Sequence, residues 1–220
     1  MTAAPVAIKI CGINTPAALD ATLDPALAAQ VGHIGLVFFA RSPRNVSLAD
    51  AAALSARCAG RARVVGLFVD ADDATLAEAV AAARLDVLQL HGKETPERAA
   101  QLRARFGLPV WKALSVAERA DVERAESYAG AVDMVLFDAK APKGAALPGG
   151  LGLAFDWSLL AHWRGAIAWG LAGGLSPETV ADAIRRTGAP LVDVSSGVES
   201  APGVKDAARI AAFCAAVRDA

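Results

Sequence analysis

The sequence has no excess of either charge: 22 Lys and Arg stand against 23 Asp and Glu over 220 residues. Without a one-signed surface there is no broad electrostatic face for a nucleic-acid backbone or an anionic membrane, so neither is expected as a partner. Cysteine is scarce as well. Cys11, Cys58 and Cys214 form an odd set with neither C-x-x-C nor any other metal-ligand spacing, which argues against a disulfide framework and fits reduced thiols. Long apolar runs are also missing. The longest uncharged stretches, 25–40 and 165–177, fall short of the ~20 apolar residues a membrane helix needs, and both carry Gly or polar side chains. The opening MTAAPVAIKICG has no basic leader before its apolar segment and reads straight into a strand, so the cytoplasm is the expected address.

What is present is a chain of 22.5 kDa, 55% hydrophobic, with a mean hydropathy of +0.38. Alanine inflates both figures, because it suits helix surfaces as well as cores. Such a composition excludes disorder. The length exceeds a common domain of about 100–150 residues but is short for two, so a single domain spanning 1–220 is expected.

Short apolar, β-branched runs recur along the whole chain: VAIKI from Val6, GHIGLVFF from Gly32, RVVGLFV from Arg63, DVLQL from Asp86, PVWKAL from Pro109, VDMVLF from Val132, AIAWGL from Ala166 and LVDVS from Leu191. Their starts lie 23 to 34 residues apart, room for a strand, a loop, a helix and a return. Thr15-Pro16, Thr95-Pro96 and Ser176-Pro177 each put a capping hydroxyl before a proline, which is tolerated at the first helical position. Ser47 with Asp50 adds a capping-box variant. Alternation without a hairpin signal implies parallel strands joined by right-handed crossovers. An open doubly wound sheet commonly carries a Gly-rich turn after its first strand, whereas here that turn is Cys11-Gly12-Ile13-Asn14 and the Gly-rich turns come late. Eight units in this length favour an α/β fold of the closed (β/α)8 TIM-barrel type.

In such a barrel the working residues sit at the C-terminal ends of strands and in the loops that follow. The turns at Gly173-Gly174 and at Ser195-Ser196-Gly197 let backbone N–H groups approach an anion, so they are the expected phosphate cradle, although a glycine pair can also serve as a plain helix entry. Cys11 ends the first strand, and period-2 alternation puts Lys9 on its face. An ammonium there would lower the thiol's pKa, although many free cysteines are simply small buried hydrophobes. Asp138 ends strand 6, either as a loop cap or as an acid–base group. Arg44, in the loop after strand 2, is either a solvated surface residue or a carboxylate clamp. His91 points inward with Gln89, as a structural group or a site residue. Barrel closure would bring strand 8 beside strand 1 and pair Lys9 with Asp193, which shares an inward face with Ser195. Cys58 and Cys214 fall in helical segments and are assigned to the core, while His33 and His162 suggest no function.

At these residues the sequence resembles the phosphoribosylanthranilate isomerase family of tryptophan biosynthesis. The matching motifs run in order from the first strand to the last: Lys9-Ile10-Cys11-Gly12, Ser42-Pro43-Arg44 within GLVFFARSPRNVS, VGLFVD from Val65, LQLHG from Leu88, FDAK from Phe137, FDW from Phe155, AGGLSPETV from Ala172 and VDVSSGVESAPGVKD from Val192. The resemblance implies Cys11 as general base, Asp138 as general acid and Arg44 as holder of the anthranilate carboxylate, with the late glycine turns on the sugar phosphate. His91 and Asp193 are expected to line the substrate site. Two departures stand out. The family's aromatic-Pro-Lys after strand 2 is here Phe39-Ala40-Arg41, and its GG(T/S)G before FDW is Gly149-Gly150-Leu151-Gly152, which removes a hydroxyl.

The implied Amadori rearrangement needs few parts. Protonation of the aminoaldose ring oxygen opens the ring to an iminium, which acidifies the neighbouring C2′ proton for removal by a base. No metal or organic cofactor is implied, and the expected partner is a small phosphosugar. The histidine-pathway aminoaldose isomerase performs the same rearrangement, but with a pair of aspartates and a second phosphate site. A phosphate-ligand binding protein without catalysis is the other alternative, against which the presence of both Cys11 and Asp138 argues.

Overall fold

A computed structural model describes residues 5–139, 154–161 and 163–220. Eight parallel strands close on themselves in chain order: β1 (Ala7–Cys11), β2 (His33–Phe38), β3 (Arg63–Phe68), β4 (Val87–Leu90), β5 (Val110–Val116), β6 (Met134–Ala139), β7 (Ala168–Leu171) and β8 (Leu191–Val194). Each begins within two residues of an apolar run read from the sequence. Closure is direct, because β8 pairs in parallel with β1 and sets Asp193 opposite Lys9.

Seven α-helices lie among the described residues: α1 (Pro16–Thr22), α2 (Leu48–Cys58), α3 (Asp73–Ala83), α4 (Pro96–Phe106), α5 (Arg119–Glu123), α6 (Val180–Thr187) and α7 (Ala207–Arg218). The expected caps form at three starts. Thr15, Ser47 and Thr95 each accept from a backbone N–H three residues on, satisfying a donor the helix cannot. Ser176-Pro177 behaves differently: α6 starts at Val180, and Ser176 instead organises the preceding turn by accepting from Glu178 N through its hydroxyl.

Two further differences from the sequence expectation matter. Before β7, a single 3₁₀ turn (Trp157–Leu160) stands among the described residues where a helix was expected. The 149–152 departure and His162 lie outside those residues. After β8 the chain forms a small antiparallel hairpin, β9 (Glu199–Ala201) and β10 (Val204–Lys205), which the strand-and-helix rhythm does not predict. Its signal is the Pro202-Gly203 dipeptide; Gly203 takes φ +81°, and a Cβ there would stand 2.5 Å from Pro43 O.

Alternation along β1 explains how the core and the site divide the strand. Ile8 and Ile10 join the layer between strands and helices, with Leu19, Leu54, Leu76, Leu102 and Phe213. Each such side chain contributes about 1.5–3 kcal/mol when fully buried. The opposite face, with Lys9 and Cys11, turns into the barrel. Below the site the interior is filled by Val65, Val87, Trp111, Ala113, Leu136 and Leu191, so the barrel is a packed core with its opening at the strand C-termini.

Candidate active site

The barrel seam builds the base of the site. Lys9 Nζ lies 2.9 Å from each oxygen of Asp193, and the Lys9 side chain is fully buried. This is the pair expected from closure. Burial alone would lower the Lys9 ammonium, but the Asp193 carboxylate and Cys11 outweigh it, and its pKa is raised. Cys11, two residues on, is buried at the tip of β1 beside Val37 and Leu67. Gly35 makes room for it: a Cβ there would lie 2.8 Å from Cys11 Sγ and 3.2 Å from Lys9 Nζ.

The thiol departs from expectation in one respect. Burial is the largest influence on Cys11 and raises its pKa; Lys9 and Lys205 pull it down, while Asp193 adds to the rise. The net shift is upward, because removing a thiolate from water costs more than the neighbouring ammonium groups return.

Asp138 stands at the end of β6, buried, with Oδ1 accepting from Ala139 N at 2.8 Å. His91 Nε2 approaches Asp138 Oδ2 to 3.2 Å, and Gln89 Nε2 lies 3.5 Å from His91 Nδ1. Gly173 closes on this carboxylate: it takes φ +80°, and a Cβ there would lie 2.7 Å from Asp138 Oδ1. Asp193 feels the charges of both Asp138 and His91, so the β1–β8 seam and the β6 tip belong to one mouth.

Arg44 is buried and crosses Gly12, where a Cβ would stand 2.5 Å from its Cδ. Its guanidinium forks onto Glu199, Nε to Oε1 at 2.7 Å and Nη2 to Oε2 at 2.8 Å. Lys205 Nζ donates to the same Glu199 Oε1 at 2.7 Å, to Ser195 O at 2.9 Å and to Ser195 Oγ at 3.3 Å. Neither Glu199 nor Lys205 was singled out in the sequence. A lysine in a polar stretch near a helix start ordinarily reads as solvated; the clue was the Pro-Gly turn, which folds it back over the barrel.

The two late turns touch. Gly173 and Gly174 both have positive φ, and Gly197 lies against the Leu175 and Ser176 backbone too closely for any side chain. Ser196–Val198 forms a 3₁₀ turn at the end of β8. The Ser195 hydroxyl has another commitment, donating to Cys11 O at 3.0 Å. A brace missed in the sequence holds the His91 loop: Glu94 accepts from Asp70 N and Gly92 N, and buried Lys112 pairs with it at 3.2 Å. Among the described residues, no group of three or more His, Cys, Asp or Glu side chains could hold a metal ion, and no helix is long and apolar enough to cross a membrane.

Residues 8–216 match the family described as N-(5′-phosphoribosyl)anthranilate (PRA) isomerase. The chain is 52% identical over 214 residues to the N-(5′-phosphoribosyl)anthranilate isomerase of Paramagnetospirillum magneticum, covering 97% of this chain and 98% of that one. It is 54% identical to the Rhodopseudomonas palustris protein of the same name, covering 97% and 96%. Among solved structures, phosphoribosyl anthranilate isomerase from Thermotoga maritima superposes with a TM-score of 0.86 at 32% identity, covering 98% of this chain and all of that one (100%). Another, the isomerase in complex with reduced 1-(o-carboxyphenylamino)-1-deoxyribulose 5-phosphate, gives a TM-score of 0.83 at 31% identity, covering 98% and 100%.

Proposed function

The chain belongs to the N-(5′-phosphoribosyl)anthranilate isomerase family, and from that premise we propose how its residues divide the work. Its activity is the aldose–ketose isomerisation of N-(5′-phosphoribosyl)anthranilate to 1-(2-carboxyphenylamino)-1-deoxyribulose 5-phosphate in tryptophan biosynthesis. Asp138 protonates the ribose ring oxygen, and the amine lone pair opens the ring to the iminium. The Cys11 thiolate then takes the C2′ proton, leaving an enolamine. Protonation at C1′ and loss of the C2′ hydroxyl proton give the ketone and reset both groups. Acid and base contribute about 10²–10⁴-fold each, and the rest comes from positioning.

Positioning is assigned to both ends of the substrate. Arg44 takes the anthranilate carboxylate, against an apolar wall of Val37, Leu67 and Phe39. The sugar phosphate rests on backbone N–H groups of Gly173, Gly174, Ser195, Ser196 and Gly197, with the Ser195 side chain left to brace Cys11. His91 and Asp193 line the floor, His91 against Asp138 and Asp193 against Lys9. Three free thiols and a small phosphosugar substrate are in keeping with a cytoplasmic enzyme.

The observation that carries this assignment is the meeting of two strand tips at one mouth: Cys11 ends β1 beside the Lys9–Asp193 pair, Asp138 ends β6 under Gly173 with only β7 and β8 between the two strands in the ring, and the buried Asp193 carboxylate bears on Cys11 and is itself raised further by Asp138. The test follows loss of phosphoribosylanthranilate fluorescence with the purified protein and with Arg44→Ala. The native protein should consume the substrate, and the variant should need far more substrate to half-saturate. No consumption by the native protein, or an unmoved KM and kcat in the variant, would remove the assignment.

A further inference from the structure

Two cations share one buried carboxylate in the hairpin that follows β8. Arg44 and Lys205 both donate to Glu199, whose side chain is 3% exposed, and the Lys205 side chain is 0% exposed. Glu199 divides its oxygens between them, so Lys205 shares its counter-charge with Arg44. The Lys9–Asp193 pair, by contrast, is formally neutral, and Asp193 opposes formation of a thiolate.

Geometry places the Lys205 ammonium at the strand tip. The hairpin β9–β10 returns Lys205 over the end of β8, where Nζ is held at 2.9 Å from Ser195 O and 3.3 Å from Ser195 Oγ. That same hydroxyl donates to Cys11 O, so the ammonium is fixed to the turn that grips the strand tip. The groups facing Cys11 are Lys9 on its own strand, Asp193 from β8 and Lys205 from β10. Asp138 and His91 act on Asp193, while Arg44 and Glu199 face Lys205. The influence is mutual: burial lowers the Lys205 pKa, Glu199 opposes that, and Cys11 also raises it.

We propose that Lys205 is a positioning residue for the isomerisation, holding positive charge against Cys11 so that the base is available as a thiolate when the C2′ proton is to be removed. This rests on the assignment of Cys11 as the base. Arg44 cannot substitute, because its Nε and Nη2 meet Glu199 and it is assigned to the substrate carboxylate.

The experiment is the pH dependence of kcat/KM for the native enzyme, Lys205→Met and Lys205→Arg, alongside ultraviolet titration of the Cys11 thiolate with Cys11→Ala subtracted. Lys205→Met should move the acid limb and the thiolate titration upward together by about one pH unit, an about tenfold loss near neutrality that recovers at higher pH. Lys205→Arg should restore the native limb. A loss of equal size at every pH, with the thiolate titration unmoved, would mean that Lys205 only holds the hairpin and would overturn the proposal. If Lys205→Met does not fold, Lys205→Gln keeps a donor toward Ser195 and is judged by the same shift. Native-like turnover in Cys11→Ala would instead defeat the base assignment, and the thiolate titration would still decide whether Lys205 acts on the sulfur.

Discussion

Lys9 and Asp193 face each other across the seam where the last barrel strand meets the first, 184 residues apart in sequence and joined by two contacts of 2.9 Å. An open sheet would leave these residues on opposite edges. Their pairing therefore ties the closure of the fold to the electrostatics of the site, since the same ammonium and carboxylate act on the Cys11 thiol with opposite signs.

Asp193→Asn should destabilise the protein by about 3 kcal/mol, because it leaves the Lys9 ammonium buried without a counter-charge. Urea denaturation measures this, and Lys9→Met/Asp193→Asn should recover part of the loss. The pH dependence has a definite sign. The folded Lys9 pKa is raised above 10.5, so its contribution to stability is fully present below that pH and disappears as pH rises through the folded value. An unmoved denaturation midpoint in Asp193→Asn would show that the pair is dispensable.

Cys11→Ala and Asp138→Asn should each reduce kcat by about 10²–10⁴-fold, the usual worth of one acid or base. Folding should be little affected by Asp138→Asn, since Oδ1 accepts only a local bond from Ala139 N among the hydrogen bonds seen there. Circular dichroism and the fluorescence assay together separate the two effects. Turnover at the native rate in either variant would remove that residue from its role.

The pH profile follows from the buried thiol. The Cys11 pKa is raised above its usual 9.0, so below that pH the thiolate fraction climbs tenfold with each unit. Log kcat/KM should therefore rise with a slope of about 1 between roughly pH 6 and 8. Stability should move the other way: the folded thiol holds its proton more tightly than the unfolded one, so this contribution is present below pH 9.0 and lost as pH rises through the folded value. A flat kcat/KM profile across that range would be incompatible with a raised Cys11 acting as base in the free enzyme.

The barrel was legible because its physics is repetitive: β-branched runs at nearly even spacing and hydroxyl-proline caps are local signals, and closure followed from counting them. Lys9–Asp193 was legible for the same reason, since alternation fixes which residues face inward. Glu199 and Lys205 were not, because their importance comes from a short hairpin that buries two ordinary surface residue types. The direction of the Cys11 shift was also out of reach. Sequence shows that an ammonium is near; only the burial of the sulfur shows that desolvation outweighs it. Ser176-Pro177 misplaced the start of α6 because the serine caps a turn that precedes the helix.

Gly35 offers a test of how closely the site is packed, since it faces Cys11 in the β1–β2 register. A methyl group there would meet Cys11 Sγ at 2.8 Å, Cys11 Cα at 3.0 Å and Lys9 Nζ at 3.2 Å, so the thiol and the ammonium would both have to shift. Overpacking of this kind costs about 1–3 kcal/mol. Gly35→Ala should therefore lower kcat at least about tenfold as well, because the base leaves the position from which it reaches C2′. Gly60→Ala is the control. Gly60 has φ +75° with nothing within 4 Å of its would-be Cβ, so the change strains the backbone far from the mouth and should lower stability while kcat stays native. If both alanine variants lose stability and neither loses turnover, the sulfur tolerates displacement and its fixed placement beside Gly35 is not needed for the reaction.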